Sequence, residues 1–235
     1  MLPVAILAGG LGTRLQPMTS AIPKVLIEVN GEPFIVHQLR LLRANQIEHA
    51  VVCVGYLGEM IHEALGEGSV EGVHVDYAFD GSTLRGTAGA VKNALPLLGE
   101  AFFVLYGDSY LPCDYRAVQT AFLESGRQGL MTVFRNEGRW DKSNIEFENG
   151  AIVAYEKKTP TVRMHHIDYG LGVFRSSAFR EIPDGATCDL VAVYQDLLKR
   201  GQLAGFEVKQ RFYEIGSLEG LEDTAKFLAQ QRGES

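Results

Sequence analysis

The sequence predicts an α/β fold, three layers around a mixed, mainly parallel central sheet, on two observations. Over the first half, short runs rich in Val and Ile alternate with amphipathic stretches, the pattern of strands joined through crossover helices. After about residue 125 the strand candidates follow one another closely, with little room for helices between them. Composition agrees, since 46% hydrophobic and 22% charged residues are ordinary values for a globule able to bury a core.

In the first half the apolar runs are residues 4–8, 50–54, 73–79 and 101–105. Helices are expected at 33–45, with Pro33 suited to a first turn, at 57–65 and at 87–97. In the second half, strands are expected at 130–135, 144–148, 151–157 and 167–174. Asn149-Gly150 between two of them signals a hairpin, because both residues tolerate the positive φ of a type I′ turn. Helices return at 188–200 and 218–231. No Ser/Gly linker or repeat separates the halves, so one domain is expected over 1–235, with a half 1–125 and a half 126–235 on a shared sheet.

Charge excludes some functions. With 22 Lys plus Arg against 29 Asp plus Glu, the net charge of -7 leaves no general polyanion surface, so nucleic acid is not an expected partner. No apolar stretch nears the roughly 20 residues of a membrane span, and the first residues read as a strand rather than a leader, so a cytoplasmic protein is expected. Cys53, Cys113 and Cys188 are widely spaced and read as free thiols. The pair His165-His166 reads as loop or strand edge, because neighbours in a strand point to opposite faces.

Gly9-Gly10-Leu11-Gly12-Thr13-Arg14 follows directly on the first strand, at the end where open α/β sheets bind ligands. Three glycines let backbone N–H groups wrap a phosphate, and Arg14 adds a fork of donors. Taken alone, the loop serves equally well as a structural turn. It is neither a GxGxxG turn nor a Walker A loop. Pro23-Lys24 lies ten residues beyond Arg14, and Lys24 can return a point charge to the same phosphates.

The stretch Leu7-Ala8-Gly9-Gly10-Leu11-Gly12-Thr13-Arg14-Leu15, with Pro17, Thr19, Pro23 and Lys24, closely resembles the opening of the sugar-1-phosphate nucleotidylyltransferases. The resemblance extends from Leu7 to Glu222 and implies a Rossmann-like nucleotidyltransferase core. It implies that Leu7, Gly9, Gly10, Gly12 and Thr13 bind the nucleotide, with Arg14 and Lys24 on its triphosphate. The chain ends soon after the matching region, so the C-terminal β-helix of longer relatives is expected to be missing.

Other segments extend the resemblance. Leu84-Arg85-Gly86-Thr87-Ala88-Gly89-Ala90 is similar to the family's LGTAGA segment, implying base and ribose contacts at Gly86 and Thr87; read alone, it is a loop with a helix cap at Thr87. Tyr106-Gly107-Asp108 closes an apolar strand with a carboxylate, a hard ligand suited to Mg²⁺, and resembles the family's metal-binding strand-Gly-Asp motif. Glu156-Lys157 resembles the pair in which Glu holds sugar hydroxyls and Lys the sugar phosphate, although Lys158 stands where the family commonly has Pro. Asn144 stands where many members have a Gly against the sugar, and Asp168 begins a strand that faces the sugar in relatives. Glu214, in Phe212-Tyr213-Glu214-Ile215-Gly216, replaces the Asp that is the family's second metal ligand.

The resemblance therefore implies an enzyme transferring a nucleoside monophosphate from an NTP to a sugar 1-phosphate, with Arg14, Lys24 and Lys157 as catalytic cations and Mg²⁺ held by Asp108 and Glu214. A sugar phosphate is largely dianionic at neutral pH, so no general base is needed, and no Ser-His or Cys-His pair is seen. The expected substrates are GTP with a heptose or mannose-type 1-phosphate. UTP, dTTP or CTP with another sugar, or a non-catalytic subunit that senses nucleotide sugars, are the alternatives, and a homo-oligomer stays open. A glycosyltransferase with a DxD metal site fits poorly, because Asp108-Ser109-Tyr110 lacks the second Asp.

Overall fold

The computed structural model describes residues 1–10 and 21–233. In chain order the elements are β1 (Val4–Leu7), a 3-10 turn (Lys24–Leu26), β2 (Glu28–Val29), β3 (Glu32–Pro33), α1 (Phe34–Ala44), β4 (His49–Val54), α2 (Gly58–Leu65), β5 (Gly68–Val70), β6 (Val73–Phe79) and α3 (Gly86–Leu98). They continue with β7 (Ala101–Tyr106), β8 (Ser109–Tyr110), α4 (Tyr115–Ser125), β9 (Gly129–Arg135), β10 (Ile145–Glu148), β11 (Ala151–Tyr155) and β12 (His166–Arg175). A second 3-10 turn (Ser176–Phe179), α5 (Leu190–Lys199), β13 (Leu203–Val208), β14 (Tyr213–Glu214) and α6 (Leu218–Gly233) complete the chain.

Ten of the described strands form one sheet in the order β11-β10-β12-β7-β1-β4-β6-β5, with β9 beside β12 and β13 beside β9. The strands β7, β1, β4 and β6 run parallel, and β12 joins them antiparallel to β7. The sheet is thus mixed, with the parallel part built from the first half of the sequence. Alternation along the strands feeds two cores. Val4, Ile6, Val52, Phe103 and Leu105 pack with Leu39 and Leu42 of α1 and Val118 and Phe122 of α4. Their neighbours Ala5, Val51, Cys53, Phe102 and Val104 pack on the opposite face with Val91 and Ala94 of α3 and Val193 and Leu197 of α5. These are the three layers that alternating strand and helix patterns imply.

The hairpin is where the sequence puts it. β10 and β11 are antiparallel, and Asn149 and Gly150 both have positive φ, 50° and 78°. Other boundaries need correction. Pro33 occupies the N-cap of α1 rather than its first turn. The strand expected at 151–157 stops at Tyr155, which leaves Glu156 and Lys157 in the following loop. Thr87 is not a cap; it lies inside α3, and its hydroxyl accepts the Leu190 N–H at 2.7 Å. β13 was missed because Gly205 interrupts its pattern, and Gly in a strand interior weakens the local signal. The tertiary reason for that glycine is close packing, since a Cβ there would lie 2.6 Å from the ring of Phe147.

Two details position the site. β12 changes register between Asp168 and Gly172, so its first part runs between β10 and β9 and its second between β7 and β9. The short ribbon β8-β14 pairs Glu214 with Ser109, and α6 packs near it through Leu228 in a small core with Ile27, Phe34 and Ile215.

Candidate functional site

Two cavities open at the carboxyl end of the parallel strands, and they share Tyr106 and Asp108 at the end of β7 as a common wall. The first, of about 380 Å³, is lined by Leu7, Gly9 and Gly10 after β1, by Lys24, and by Leu84, Gly86 and Thr87 at the start of α3. Arg14, Gly12 and Thr13 lie outside the described residues. The strand ends approach closely because of Gly107, whose N–H donates to the Leu7 carbonyl at 3.0 Å; a Cβ there would stand 2.6 Å from that oxygen. Gly86 combines a φ of +69° with a Cβ position 2.6 Å from the Cys188 carbonyl, so only glycine is accommodated where the cavity rim meets α3. That carbonyl accepts the N–H groups of Ala88 and Gly89, tying the rim to the segment before α5.

The Lys24 ammonium contacts Asp108 Oδ2 at 2.7 Å. The other carboxylate oxygen, Oδ1, has the Ser109 hydroxyl at 3.3 Å, a long and weak hydrogen bond. The cation expected on phosphate and the carboxylate expected on metal are thus partners here.

The second cavity, of about 560 Å³, is lined among others by Asn144, Lys157, Asp168, Glu214 and Trp140. Asp168, only 5% exposed at its side chain, is its most enclosed charge. Its Oδ2 accepts the Tyr155 hydroxyl at 3.1 Å and stands 3.8 Å from the Lys157 ammonium, and its Oδ1 accepts the Gly170 N–H at 3.1 Å. The Lys157 ammonium also lies 5.7 Å from the Tyr106 ring centre and 5.8 Å from that of Tyr155, within cation–π reach. Burial foremost, and then the Asp168 charge, pushes the Tyr155 and Tyr106 hydroxyls up, so both remain protonated and Tyr155 stays a donor. Asn144 joins the strands: its Oδ1 accepts the Asp168 N–H at 3.1 Å, and its carbonyl accepts the Glu156 N–H at 2.9 Å. Glu156 departs from expectation. Its carboxylate accepts the Lys158 N–H at 2.7 Å, and it is not among the residues lining either cavity.

Asp108 immediately precedes β8, and Glu214 lies in β14 opposite Ser109; just beyond the ribbon the Ile215 N–H donates to the Asp108 carbonyl at 2.9 Å. As a donor set, a carboxylate on the wall shared by the cavities and a second one lining the second cavity suit a hard divalent cation, and the weakly engaged Oδ1 of Asp108 offers a lone pair. Glu214 is more committed. It accepts the Gly216 N–H and, at 2.8 Å, the Ser217 hydroxyl, which in turn accepts the Gly220 N–H at the start of α6. The carboxylate therefore faces the positive end of a helix, with a hydrogen bond accepted on each oxygen. His166 sits in β12, 3.5 Å from Glu207; burial holds its imidazole below the usual range, with Glu207 opposing.

Two residues of the site escape motif reading. Gln38, buried on α1, donates from Nε2 to the carbonyls of Tyr106 at 3.1 Å and Ser109 at 2.8 Å, and so fixes the turn that carries Asp108. A polar amide amid the apolar positions Phe34, Ile35, Leu39 and Leu42 is the signal that could have found it. Trp140 lies between strand candidates with no periodicity to mark it.

The nucleotidyl transferase family matches residues 4–231, and the chain belongs to it. Among its relatives, the mannose-1-phosphate guanylyltransferase catalytic subunit beta of Xenopus tropicalis is 27% identical over 217 residues; the match covers 90% of this chain and 60% of that protein, so the chain spans little more than half of this relative. The N-acetylmuramate alpha-1-phosphate uridylyltransferase of Neisseria meningitidis serogroup B is 28% identical over 216 residues, covering 91% of this chain and 92% of that protein. In fold, the chain resembles the crystal structure of a putative glucose-1-phosphate thymidylyltransferase from Bacillus anthracis, with a TM-score of 0.85 at 22% identity over 97% of this chain and 95% of the other.

Proposed function

We propose that this chain is an enzyme that couples a nucleoside triphosphate to a sugar 1-phosphate, releasing pyrophosphate and forming a nucleoside diphosphate sugar. The observation that carries the reading is the pair of cavities meeting at Tyr106 and Asp108, one walled by glycines and Lys24, the other by Lys157, Asp168 and Asn144. A two-substrate displacement needs such adjoining compartments, since the attacking oxygen and the α-phosphorus must meet at their boundary.

In this reading the NTP occupies the first cavity, with its base against Gly86 and Thr87 and its phosphates on the loop after β1, Arg14 and Lys24. The sugar phosphate lies in the second, its phosphate on Lys157 and its hydroxyls on Asp168 and Asn144. Lys24 would leave Asp108 for phosphate oxygens, and Asp108 and Glu214 are the residues that would hold Mg²⁺. Bound there, Mg²⁺ supplies charge neutralisation of the reacting phosphates. The protein's own work is to align the dianionic nucleophile and to stabilise the extra charge with fixed cations, so no general base is required. Both halves of the chain act as one catalytic domain, in the cytoplasm. No helix among the described residues is long and apolar enough to cross a membrane.

GTP with a mannose-type or heptose 1-phosphate is the pair we favour, supported by the guanylyltransferase relatives. The uridylyltransferase relative, matched over nearly its whole length, favours a second reading with UTP. A matrix of NTPs against sugar 1-phosphates with Mg²⁺, read as pyrophosphate release, tests both. Turnover with GTP and a manno-configured sugar phosphate is expected. Turnover only with UTP establishes the second reading, and binding of nucleotide sugars without turnover of any pair overturns the enzyme.

A further inference from the structure

We propose that Trp140 is the platform on which the sugar ring of the substrate lies, and is therefore a specificity-determining residue; this rests on the second cavity being the sugar-phosphate site. Trp140 lines that cavity with 46% of its surface exposed, an uncommon position for so large an apolar side chain. Its exposure does not come from a loose loop. The buried Asn136 closes the segment on itself, donating from Nδ2 to the Asp141 carbonyl at 2.6 Å and accepting the Trp140 N–H on Oδ1 at 3.3 Å. The Asn136 and Glu137 N–H groups donate to the His165 carbonyl at 3.0 and 2.9 Å, which anchors the segment to the approach of β12.

The ring is also braced. The Arg211 guanidinium carbon lies 3.4 Å from the Trp140 ring centre and 4.8 Å from that of Tyr213, and Arg211 is held by Asp223 of α6 at 2.8 Å. Tyr213 in turn stacks on Phe227, with centres 4.0 Å apart and planes 18° from parallel. Of this column, Trp140 is among the residues lining the cavity and Arg211, Tyr213 and Phe227 are not. A braced aromatic surface facing a cavity whose other lining includes Lys157, Asp168 and Asn144 matches an amphipathic ligand. A pyranose has that character, with hydroxyls around its edge and a C–H face that gains by leaving water for an aromatic surface. Lys157 holds the phosphate at one end, and the ring rests on Trp140.

Trp140 is the sole tryptophan, so its emission reports on this contact directly. Titration of the wild-type chain with mannose 1-phosphate, glucose 1-phosphate, a manno-heptose 1-phosphate and their GDP and UDP conjugates, against inorganic phosphate, is expected to change the emission with a sugar-bearing ligand and not with phosphate alone. In turnover, Trp140→Ala is expected to raise KM for the accepted sugar 1-phosphate about tenfold, equivalent to about 1.4 kcal/mol, while KM for the NTP stays within about twofold. Trp140→Phe, which keeps a flat apolar face, restores most of that loss and guards against misfolding of the alanine variant. Emission indifferent to every sugar-bearing ligand, or an unchanged sugar-phosphate KM in Trp140→Ala, overturns the platform. Absence of pyrophosphate release with every substrate pair, alongside a fluorescence response, overturns the enzyme reading and leaves the platform standing.

Discussion

Asp108 has two differently engaged oxygens, one on Lys24 and one weakly on Ser109. Removing the carboxylate leaves Lys24 without its counter-ion and, in the proposed reaction, removes a ligand that would hold the divalent cation. We expect Asp108→Ala to lower kcat by about 100-fold or more, the range for loss of a group that stabilises transition-state charge. Pyrophosphate release at saturating Mg²⁺, with circular dichroism to confirm the fold, checks this. Turnover within about tenfold of wild type would remove Asp108 from the chemistry. The residue type and its place at a strand end were legible in the sequence. Its partnership with Lys24 was not, because the two are 84 positions apart and meet only when β1 and β7 lie side by side. Glu214 shows the same division: a methylene longer than the Asp it replaces, it reaches the start of α6 and accepts hydrogen bonds there.

At the scale of elements, α1 shows how buried polar groups lock the site frame. His37 and the Val29 carbonyl, 2.8 Å apart, join the helix to the β2-β3 hairpin, while Gln38 holds the Asp108 turn. Burial, the largest influence, holds the His37 imidazole below its usual range; the Val29 hydrogen bond opposes that. The unfolded imidazole takes its proton near pH 6.5, whereas the folded one takes it only at lower pH, so between those values the unfolded chain binds more protons. The His37 contribution is therefore complete above about pH 6.5 and is lost as pH falls through that window. His166, also lowered by burial, acts in the same direction. The urea midpoint is expected to fall between about pH 7.5 and about pH 5.5, and to fall less in His37→Gln, whose amide can still donate to Val29. Equal falls in the two proteins would show that His37 does not titrate in this way.

At the scale of the whole molecule, the two cores enclose the thiols unequally. Burial pushes the Cys53 and Cys113 thiols up to about 12, whereas Cys188, just before α5, is only partly buried. Since the thiolate is the reactive form, a native thiol titration is expected to show a single fast group, lost in Cys188→Ser, and two that appear only on unfolding. A fast phase that survives Cys188→Ser, or two fast thiols in the wild type, contradicts the burial seen here.

By itself the sequence determined the layered α/β architecture, the hairpin at Asn149-Gly150 and the identity of the residues gathered at the strand ends, because apolar periodicity and turn chemistry act over a few neighbouring residues. Tertiary structure alone decided that Lys24 pairs with Asp108, that Lys157 lies near Asp168 over Tyr106, that the Glu156 carboxylate accepts the Lys158 N–H, and that Trp140 lines the second cavity. Such contacts depend on strand order and on the register change in β12, which bring together residues far apart along the chain and leave no local pattern by which to read them.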